Sequence, residues 1–201
     1  MKNVITGDEK WILYSNPKNR KQYLSRGEKP RKVVRNRLSK QKLLICVFWD
    51  KDGILLIDFL KPGHTVNSDV YREQMERLRS ILLEKRPGLI NRRKVHLLHD
   101  NARPHVSSSV KQLLDGFDWE IVSHPPYSPD LAPTDFHLFR SLSNFLIGKN
   151  FNDFDDCKNA IITFFNSKIQ VSSNLVLKNF LEGGKRSLIV MVNIWMIKVF
   201  F

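Results

Sequence analysis

Short apolar runs in the first third of the chain predict three β-strands. Residues 4–14 predict an opening strand that carries an acidic residue, Asp8, in its middle. After a long polar stretch, residues 43–49 and 54–60 form two further runs of β-favouring residues. The turn between them, residues 50–53, predicts a hairpin in which Gly53 adopts the positive φ angle.

Apolar residues at helical spacing then alternate with further short strands. The spacing from Tyr71 to Leu82 predicts a helix that is capped by Asn67 or Ser68 and stopped by Pro87 and Gly88. The next pattern predicts a strand over residues 95–99, a helix over 106–116 and a strand over 119–122. This order predicts an α/β protein with a mixed five-stranded sheet flanked by helices.

A proline-rich segment separates these elements from the last predicted helices. Residues 124–133 can form neither a helix nor a central strand, because each proline lacks a backbone donor. Thr134 is a good N-cap for a helix that runs to Leu146 with Asp135 in its first turn, and residues 153–167 predict a final helix. The two cysteines, Cys46 and Cys157, show no metal-ligand or disulfide spacing, and we expect reduced core thiols.

Charge changes the picture at one place, the polar stretch after the first strand. The 201 residues carry a net charge of +13, of which residues 18–42 alone contribute +10. Dense local positive charge indicates that this stretch binds a polyanion, most simply nucleic acid. The alternative is a solvated surface loop. We predict that residues 15–39 form a basic arm whose candidate DNA-binding residues are Lys18, Arg20, Lys21, Arg26, Lys29, Arg31, Lys32, Arg35 and Arg37.

The sequence contains no pattern typical of a membrane protein. The N-terminus lacks an apolar signal region, and the longest apolar run, residues 187–201, is shorter than the roughly 20 residues that span a bilayer. We expect a protein of the nucleus, without a membrane and without a small-molecule cofactor.

Three acids on separate predicted elements are the candidate chemistry. Asp8 lies on the first strand, Asp100 at the end of the fourth and Asp135 at the start of a helix, and a mixed sheet can bring them to one edge. Three carboxylates would suit Mg²⁺ or Mn²⁺ and two-metal phosphodiester chemistry. The alternatives are structural: a strand-end acid, an Asx turn and an acid that stabilises a helix N-terminus. Asp130, between prolines, favours a structural role.

Three sequence motifs resemble the catalytic domain of mariner transposases. These are residues 6–11 (Thr-Gly-Asp-Glu-Lys-Trp), residues 99–105 (His-Asp-Asn-Ala-Arg-Pro-His) and residues 127–139, and 34 residues separate Asp100 from Asp135, as in that family. The domain is also similar to the transposase half of a histone-lysine methyltransferase fusion protein. The resemblance implies an RNase H-like fold over residues 1–182 and a divalent-metal site at Asp8, Asp100 and Asp135. It further implies DNA strand cleavage followed by strand transfer.

The resemblance also sets expectations for the neighbouring residues and for the arm. Glu9 and Asn101 adjoin the implied metal site and are expected to support it or form turns. Independently of the resemblance, four histidines form no His-x-x-x-His pair on a single helix, so we expect hydrogen-bonded packing groups at His99, His105, His124 and His137. The arm, residues 15–39, matches the family's clamp loop, which implies contact with DNA and a homodimer through the arm.

Both ends of the chain depart from the family. The helix-turn-helix modules that read transposon ends have no counterpart in the sequence given, so we expect DNA binding without sequence specificity and no transposition by this chain alone. Residues 183–201 form an aberrant apolar tail, and we hypothesise a frameshift, because one back-translation shifted by two bases encodes a family-like ending. The expected function is that of a metal-dependent transposase catalytic domain; the alternative is an inactive transposon-derived remnant that binds DNA.

Overall fold

A five-stranded mixed sheet forms the centre of the protein. The computed structural model describes residues 4–18, 23–29, 41–92, 95–123, 125, 128 and 132–181, with side chains as far as residue 167 of the last helix. The strands are β1 (Val4–Leu13), β2 (Lys42–Asp50), β3 (Gly53–Leu60), β4 (His96–Leu98) and β5 (Glu120–Ile121). Their spatial order is β3-β2-β1-β4-β5, antiparallel among the first three and parallel from β1 to β5. The predicted α/β class and mixed sheet are confirmed.

Helices cover both faces of this sheet. They are α1 (Ser68–Lys85), α2 (Pro87–Arg92), α3 (Ser108–Gly116), α4 (Arg140–Leu146) and α5 (Phe154–Leu181). A π-helical turn, Thr134–Phe139, leads directly into α4. We call the side packed by α1 and α3 the α1 face, and the side packed by the π-helical turn, α4 and α5 the α5 face.

Strand alternation divides the core between these two faces. On β2, Leu44, Cys46 and Phe48 belong to the α1-face core, whereas Leu43, Ile45 and Val47 belong to the α5-face core. Such a doubly covered strand reads as a continuous hydrophobic run, because both sets of alternating side chains are buried. Both cysteines are buried free thiols, as expected.

Local signals account for the hairpin and for the beginning of α1. Gly53 has a φ of +126°, which residues with a Cβ rarely adopt, and it opens β3 as predicted. Asn67 is the N-cap of α1, and its side-chain oxygen accepts a hydrogen bond of 2.8 Å from the Val70 N–H. The predicted stop is confirmed, because α1 ends at Lys85, but a further short helix, α2, begins at Pro87 and was not predicted. A proline at the first helical position needs no N–H donor and has a suitable φ.

The helix that carries Asp135 differs from its prediction. Thr134 is not an N-cap: Pro133 precedes the π-helical turn and Thr134 is its first residue. The Thr134 hydroxyl is turned towards the sheet, where it meets β1 and β2 instead of capping the helix. The final helix begins at Phe154, close to the prediction, but continues to Leu181.

Several predictions fall wholly or partly on residues outside the described ranges. These are the apolar tail, residues 183–201, most of the arm and the proline-rich segment with Asp130. Within the described residues, no helix is both long enough and apolar enough to cross a membrane.

Candidate metal centre

The register between β1 and β4 brings Asp8 level with Asp100. The two strands run parallel, and their last paired residues are Thr6 and Leu98. Both acids lie two residues beyond this pair, on neighbouring segments at the carboxyl end of β4. Carboxyl ends of parallel strands are common positions for functional residues, because the chain leaves the sheet there.

The π-helical turn brings Asp135 to the same place. Thr134 is fully buried, and its hydroxyl oxygen accepts a hydrogen bond of 3.0 Å from Trp49 Nε1. It also lies 3.4 Å from the hydroxyl of Thr6, two residues before Asp8 on the same face of β1. These contacts fix the start of the turn against β1 and β2. π-Helical turns occur frequently at functional sites.

The acids surround Asp8 with negative charge. Burial, followed by the charge of Asp135, raises the pKa of Asp8 to about 7, and Glu9 and Asp100 contribute in the same direction. A hydrogen bond of 2.7 Å from the Glu9 N–H to Asp8 Oδ1 opposes this rise. A carboxyl group with these neighbours is stabilised by a cation, because positive charge relieves both the repulsion and the loss of hydration.

Asp100, by contrast, is held by hydrogen-bond donors. Its Oδ1 accepts hydrogen bonds of 3.0 Å from the Ala102 N–H and of 2.7 Å from His105 Nδ1. The His105 bond is the main cause of the lowered pKa of Asp100. The Asx turn, one of the alternatives for this acid, is therefore present. It is compatible with metal binding, because both bonds are made to one of the two carboxylate oxygens.

A second acid of the same motif lies on the opposite face of β1. Asp8 pairs with Val47 of the α5-face core, whereas Glu9 pairs with Cys46 of the α1-face core. Glu9 Oε1 lies 3.1 Å from His105 Nε2. Burial opposes a charge on His105, but its hydrogen bonds to Asp100 and Glu9 outweigh burial and raise its pKa to about 10. His105 is a hydrogen-bonded buried group, as expected. The bridging of Asp100 and Glu9 by His105 was not predicted from the sequence. The available signal is strand alternation, which places Glu9 on the opposite face of β1 from Asp8.

The three carboxylates are chemically suited to a hard divalent cation, but their arrangement does not form a complete coordination site. Carboxylate oxygens are the ligands that Mg²⁺ and Mn²⁺ prefer. Across the described residues, no three His, Cys, Asp or Glu side chains converge closely enough to hold a metal ion. Asp8 is thus close enough to Asp100 and Asp135 for their charges to interact, but the three side chains do not converge on a single ion position.

The beginning of the basic arm is joined to the turn after α4. The Asn16 N–H donates a 3.0 Å hydrogen bond to the Lys149 carbonyl, and the Ser15 hydroxyl donates one of 2.8 Å to Asn150 Oδ1. Three of the predicted DNA-binding residues, Lys18, Arg26 and Lys29, lie in described segments. Six lie outside them: Arg20, Lys21, Arg31, Lys32, Arg35 and Arg37.

Comparison with known families shows similarity to transposases. The family described as "Transposase (partial DDE domain)" matches residues 13–92. Mariner Mos1 transposase of Drosophila mauritiana is 37% identical over 166 residues, and histone-lysine N-methyltransferase SETMAR of Homo sapiens is 39% identical over 165 residues. Each match covers 82% of this chain, which spans about half of the Mos1 protein (48%) and about a quarter of SETMAR (24%).

Solved structures extend the similarity to the fold. The crystal structure of the catalytic domain of Mos1 mariner transposase is 35% identical, with a TM-score of 0.67, and the match covers 82% of this chain and 70% of that one. The mariner Mos1 paired-end complex with Mg is 40% identical, with a TM-score of 0.72, over 83% of this chain and 48% of that one. The RNase H-like fold that the sequence motifs implied is confirmed.

Proposed function

The chain belongs to the mariner transposase family and corresponds to its catalytic domain, and we propose that it cleaves DNA phosphodiester bonds and then transfers the cut strand. The proposed site consists of Asp8, Asp100 and Asp135 with Mg²⁺ or Mn²⁺. The observation that carries this proposal is the partial burial of Asp8 beside Asp135 and Asp100, which raises its pKa to about 7. Raised carboxyl pKa values caused by burial and like charge are typical of functional sites.

The chain's residues divide the work of this site. Asp8 and Asp135 supply negative charge from two elements that Thr134 holds together through Thr6 and Trp49. Asp100 has Oδ1 engaged by the Ala102 N–H and His105, so we assign its Oδ2 to the metal. Divalent ions bound here would activate an attacking water or hydroxyl and stabilise the leaving oxygen.

We further propose that the basic arm binds DNA through phosphates and supports a homodimer. The net charge of +10 over residues 18–42 favours phosphate contacts, which carry no sequence information directly. Sequence-specific recognition requires side chains on base edges, usually from an exposed helix. The described helices α1 and α3 instead pack their apolar faces on the sheet. Non-specific DNA binding and action in the nucleus follow from this proposal.

Plasmid nicking tests the catalytic proposal. We expect wild-type protein to convert supercoiled plasmid to open circles with Mg²⁺ or Mn²⁺ and to stop when EDTA is added. Asp100→Asn should abolish nicking, whereas Asp115→Asn, an exposed acid on α3, should leave it unchanged. DNA binding without metal-dependent nicking by the wild type would contradict the proposal and favour the inactive remnant.

Salt dependence tests the arm. Replacing Lys29, Arg31 and Lys32 by Ser should lower the slope of log K against log salt by up to about 3, since each phosphate contact contributes roughly 0.9 on duplex DNA. The matched control replaces Lys51, Lys61 and Lys85, which are exposed outside the arm. Equal slopes for the two variants would show that DNA contacts lie elsewhere. Sedimentation of both variants tests the dimer, which the arm variant alone should weaken.

A further inference from the structure

We propose that Glu9 and His105 form a positioning pair that fixes Asp100 for metal binding, with Glu9 acting through His105 and not as a metal ligand. This inference rests on the proposed function. His105 is only 2% exposed, and each of its ring nitrogens meets a carboxylate. Nδ1 lies 2.7 Å from Asp100 Oδ1, and Nε2 lies 3.1 Å from Glu9 Oε1.

Strand geometry separates Glu9 from the acids of the α5 face. Successive side chains of a strand point to opposite faces, so Asp8 and Glu9 cannot both face Asp135. Glu9 lies opposite Cys46, on the α1 face. The side chain of Glu9 is connected to Asp100 by hydrogen bonds through the His105 ring, which spans the distance between the two carboxylates.

Neighbouring rings fix the orientation of His105. The ring of Tyr71 lies 4.1 Å away between centroids, and the ring of His99 lies 5.2 Å away and nearly parallel, at 10°. Tyr71 and His99 are themselves joined by a 2.7 Å hydrogen bond from the Tyr71 hydroxyl to His99 Nδ1 or the reverse, depending on the tautomer. A ring with these contacts cannot rotate freely, so its two N–H directions are set before a metal binds.

The hydrogen bond between His105 and Asp100 holds the Asp100 carboxylate in one orientation. A carboxylate accepts and does not donate, so this bond runs from the His105 Nδ1–H to Asp100 Oδ1. Donation to Asp100 Oδ1 then fixes the carboxylate plane and directs Oδ2 to the metal. Residues that orient a ligand in this way typically contribute about 10- to 100-fold to metal affinity or activity.

Two substitutions of His105 separate its two contacts. In His105→Asn the amide nitrogen replaces Nδ1, which keeps the bond to Asp100; in His105→Gln it replaces Nε2, which keeps the bond to Glu9 instead. We expect His105→Gln to raise the Kd for Mn²⁺, measured by electron paramagnetic resonance on the full chain, by about 10-fold or more. His105→Asn should raise it less. His96→Gln is the matched control, because His96 faces an acid, Glu120, at the other end of β4.

Glu9→Gln completes the test, because it preserves the side-chain volume. If Glu9 acts through His105, this change raises the Mn²⁺ Kd in the wild type but has no further effect in His105→Asn, where the contact is already lost. An equal effect in both backgrounds would show that Glu9 acts directly on the metal and would overturn the inference. This comparison remains decisive even if His105→Gln fails to fold.

Mn²⁺ binding by the wild type distinguishes failure of the positioning role from failure of the proposed function. Mn²⁺ binding that is lost in Asp100→Asn, combined with unchanged Kd values in all His105 variants, overturns the positioning role and leaves the proposed function intact. Wild-type protein that binds no Mn²⁺ overturns both. For His105→Gln, nicking restored by higher Mn²⁺ with an unchanged melting temperature supports positioning over general damage to the fold.

Discussion

Acids on the two faces of the sheet have opposite surroundings. On the α1 face, Glu9 meets His105, and Asp58 accepts hydrogen bonds from Gln74 Nε2 at 2.8 Å and from Arg77 at 2.6 Å and 3.2 Å. On the α5 face, Asp8 is placed among further acids. Burial raises the pKa of both Asp8 and Asp58, but the bonds from Arg77 and Gln74 reverse this rise at Asp58 and lower its pKa.

This difference distinguishes acids that stabilise the fold from an acid that the fold destabilises. Hydrogen-bond donors around Asp58 favour its charged form, so its ionisation stabilises the folded protein. The neighbours of Asp8 disfavour its charged form, so its ionisation opposes folding. A group retained at the expense of stability is a candidate for function, and the proposed divalent cation would offset this cost at Asp8.

The largest expected effect is on DNA cleavage. Asp8→Asn or Asp135→Asn should reduce metal-dependent plasmid nicking below detection, because each removes a proposed metal ligand. Asp58→Asn, on the other face of the sheet, should retain wild-type nicking at a temperature where it is folded. Full activity of Asp135→Asn would remove that residue from the site, and loss of activity in all three variants at equal stability would erase the difference between the faces.

The same Asp8 substitution should stabilise the protein in EDTA. The folded pKa of Asp8, about 7, lies above its ordinary value of 3.8, so the wild type loses stability as the pH rises from about 4 to 7. Asp8→Asn avoids this loss and should raise the free energy of unfolding by up to about 4 kcal/mol above pH 7, with little effect below pH 4. Urea unfolding at pH 4 and pH 8 measures this difference.

In the presence of a divalent metal, the wild type should become more stable than Asp8→Asn. Mn²⁺ that binds only the folded wild type stabilises it by mass action, whereas Asp8→Asn should gain much less. Melting temperatures of both proteins, with and without Mn²⁺, measure this change in stability. A variant that is less stable than the wild type in EDTA at pH 8 would show that Asp8 contributes to the fold as Asp58 does.

Local patterns account for most of the elements, and tertiary contacts for the differences. The hairpin, α1 and α3 were predictable because alternation, helical spacing and caps act over a few residues. The π-helical turn was not, because the hydroxyl of Thr134 bonds to Trp49, 85 residues away, instead of capping the helix. The short helix α2 was not predicted, because a proline can end one helix and also occupy the first position of the next.

The candidate site was predictable from motifs and only partly from patterning. Spacing alone placed Asp8, Asp100 and Asp135 on separate elements, and the family resemblance supplied the reason to combine them. The proximity of Asp8 and Asp100 depends on the parallel register of β1 and β4, which no single strand reveals. The contact between Glu9 and His105 joins residues 96 apart and requires knowledge of which face each strand residue occupies.

A smaller effect is expected at Gly7, which precedes Asp8 on β1 and pairs with Phe48 of the α1-face core. A Cβ at this position would overlap the buried ring of Phe48 on the α1 face, so Gly7→Ala should destabilise the protein by about 1–3 kcal/mol through overpacking. The clash lies next to Asp8 in the chain, so nicking should fall together with stability. Urea unfolding measures the loss, and adding Phe48→Leu should recover part of it. Additive losses in the double variant would contradict a steric cause.

The smallest expected effect is the counterpart of Asp8 on the α1 face. The folded pKa of Asp58 lies below 3.8, so its contribution to stability is fully present above that pH and is lost as the pH falls through the lower, folded value. Asp58→Asn should therefore reduce the free energy of unfolding by about 1 kcal/mol at pH 7, a modest amount because the Arg77 side chain is 49% exposed. Near pH 3 the deficit should shrink, because wild-type Asp58 also becomes protonated. Urea unfolding at pH 3, 5 and 7 measures this trend, with Asp115→Asn as the exposed control. The pH trends of Asp8→Asn and Asp58→Asn, each relative to the wild type, should thus have opposite signs. Equal signs would mean that a half-buried acid has the same effect on stability on either face of the sheet.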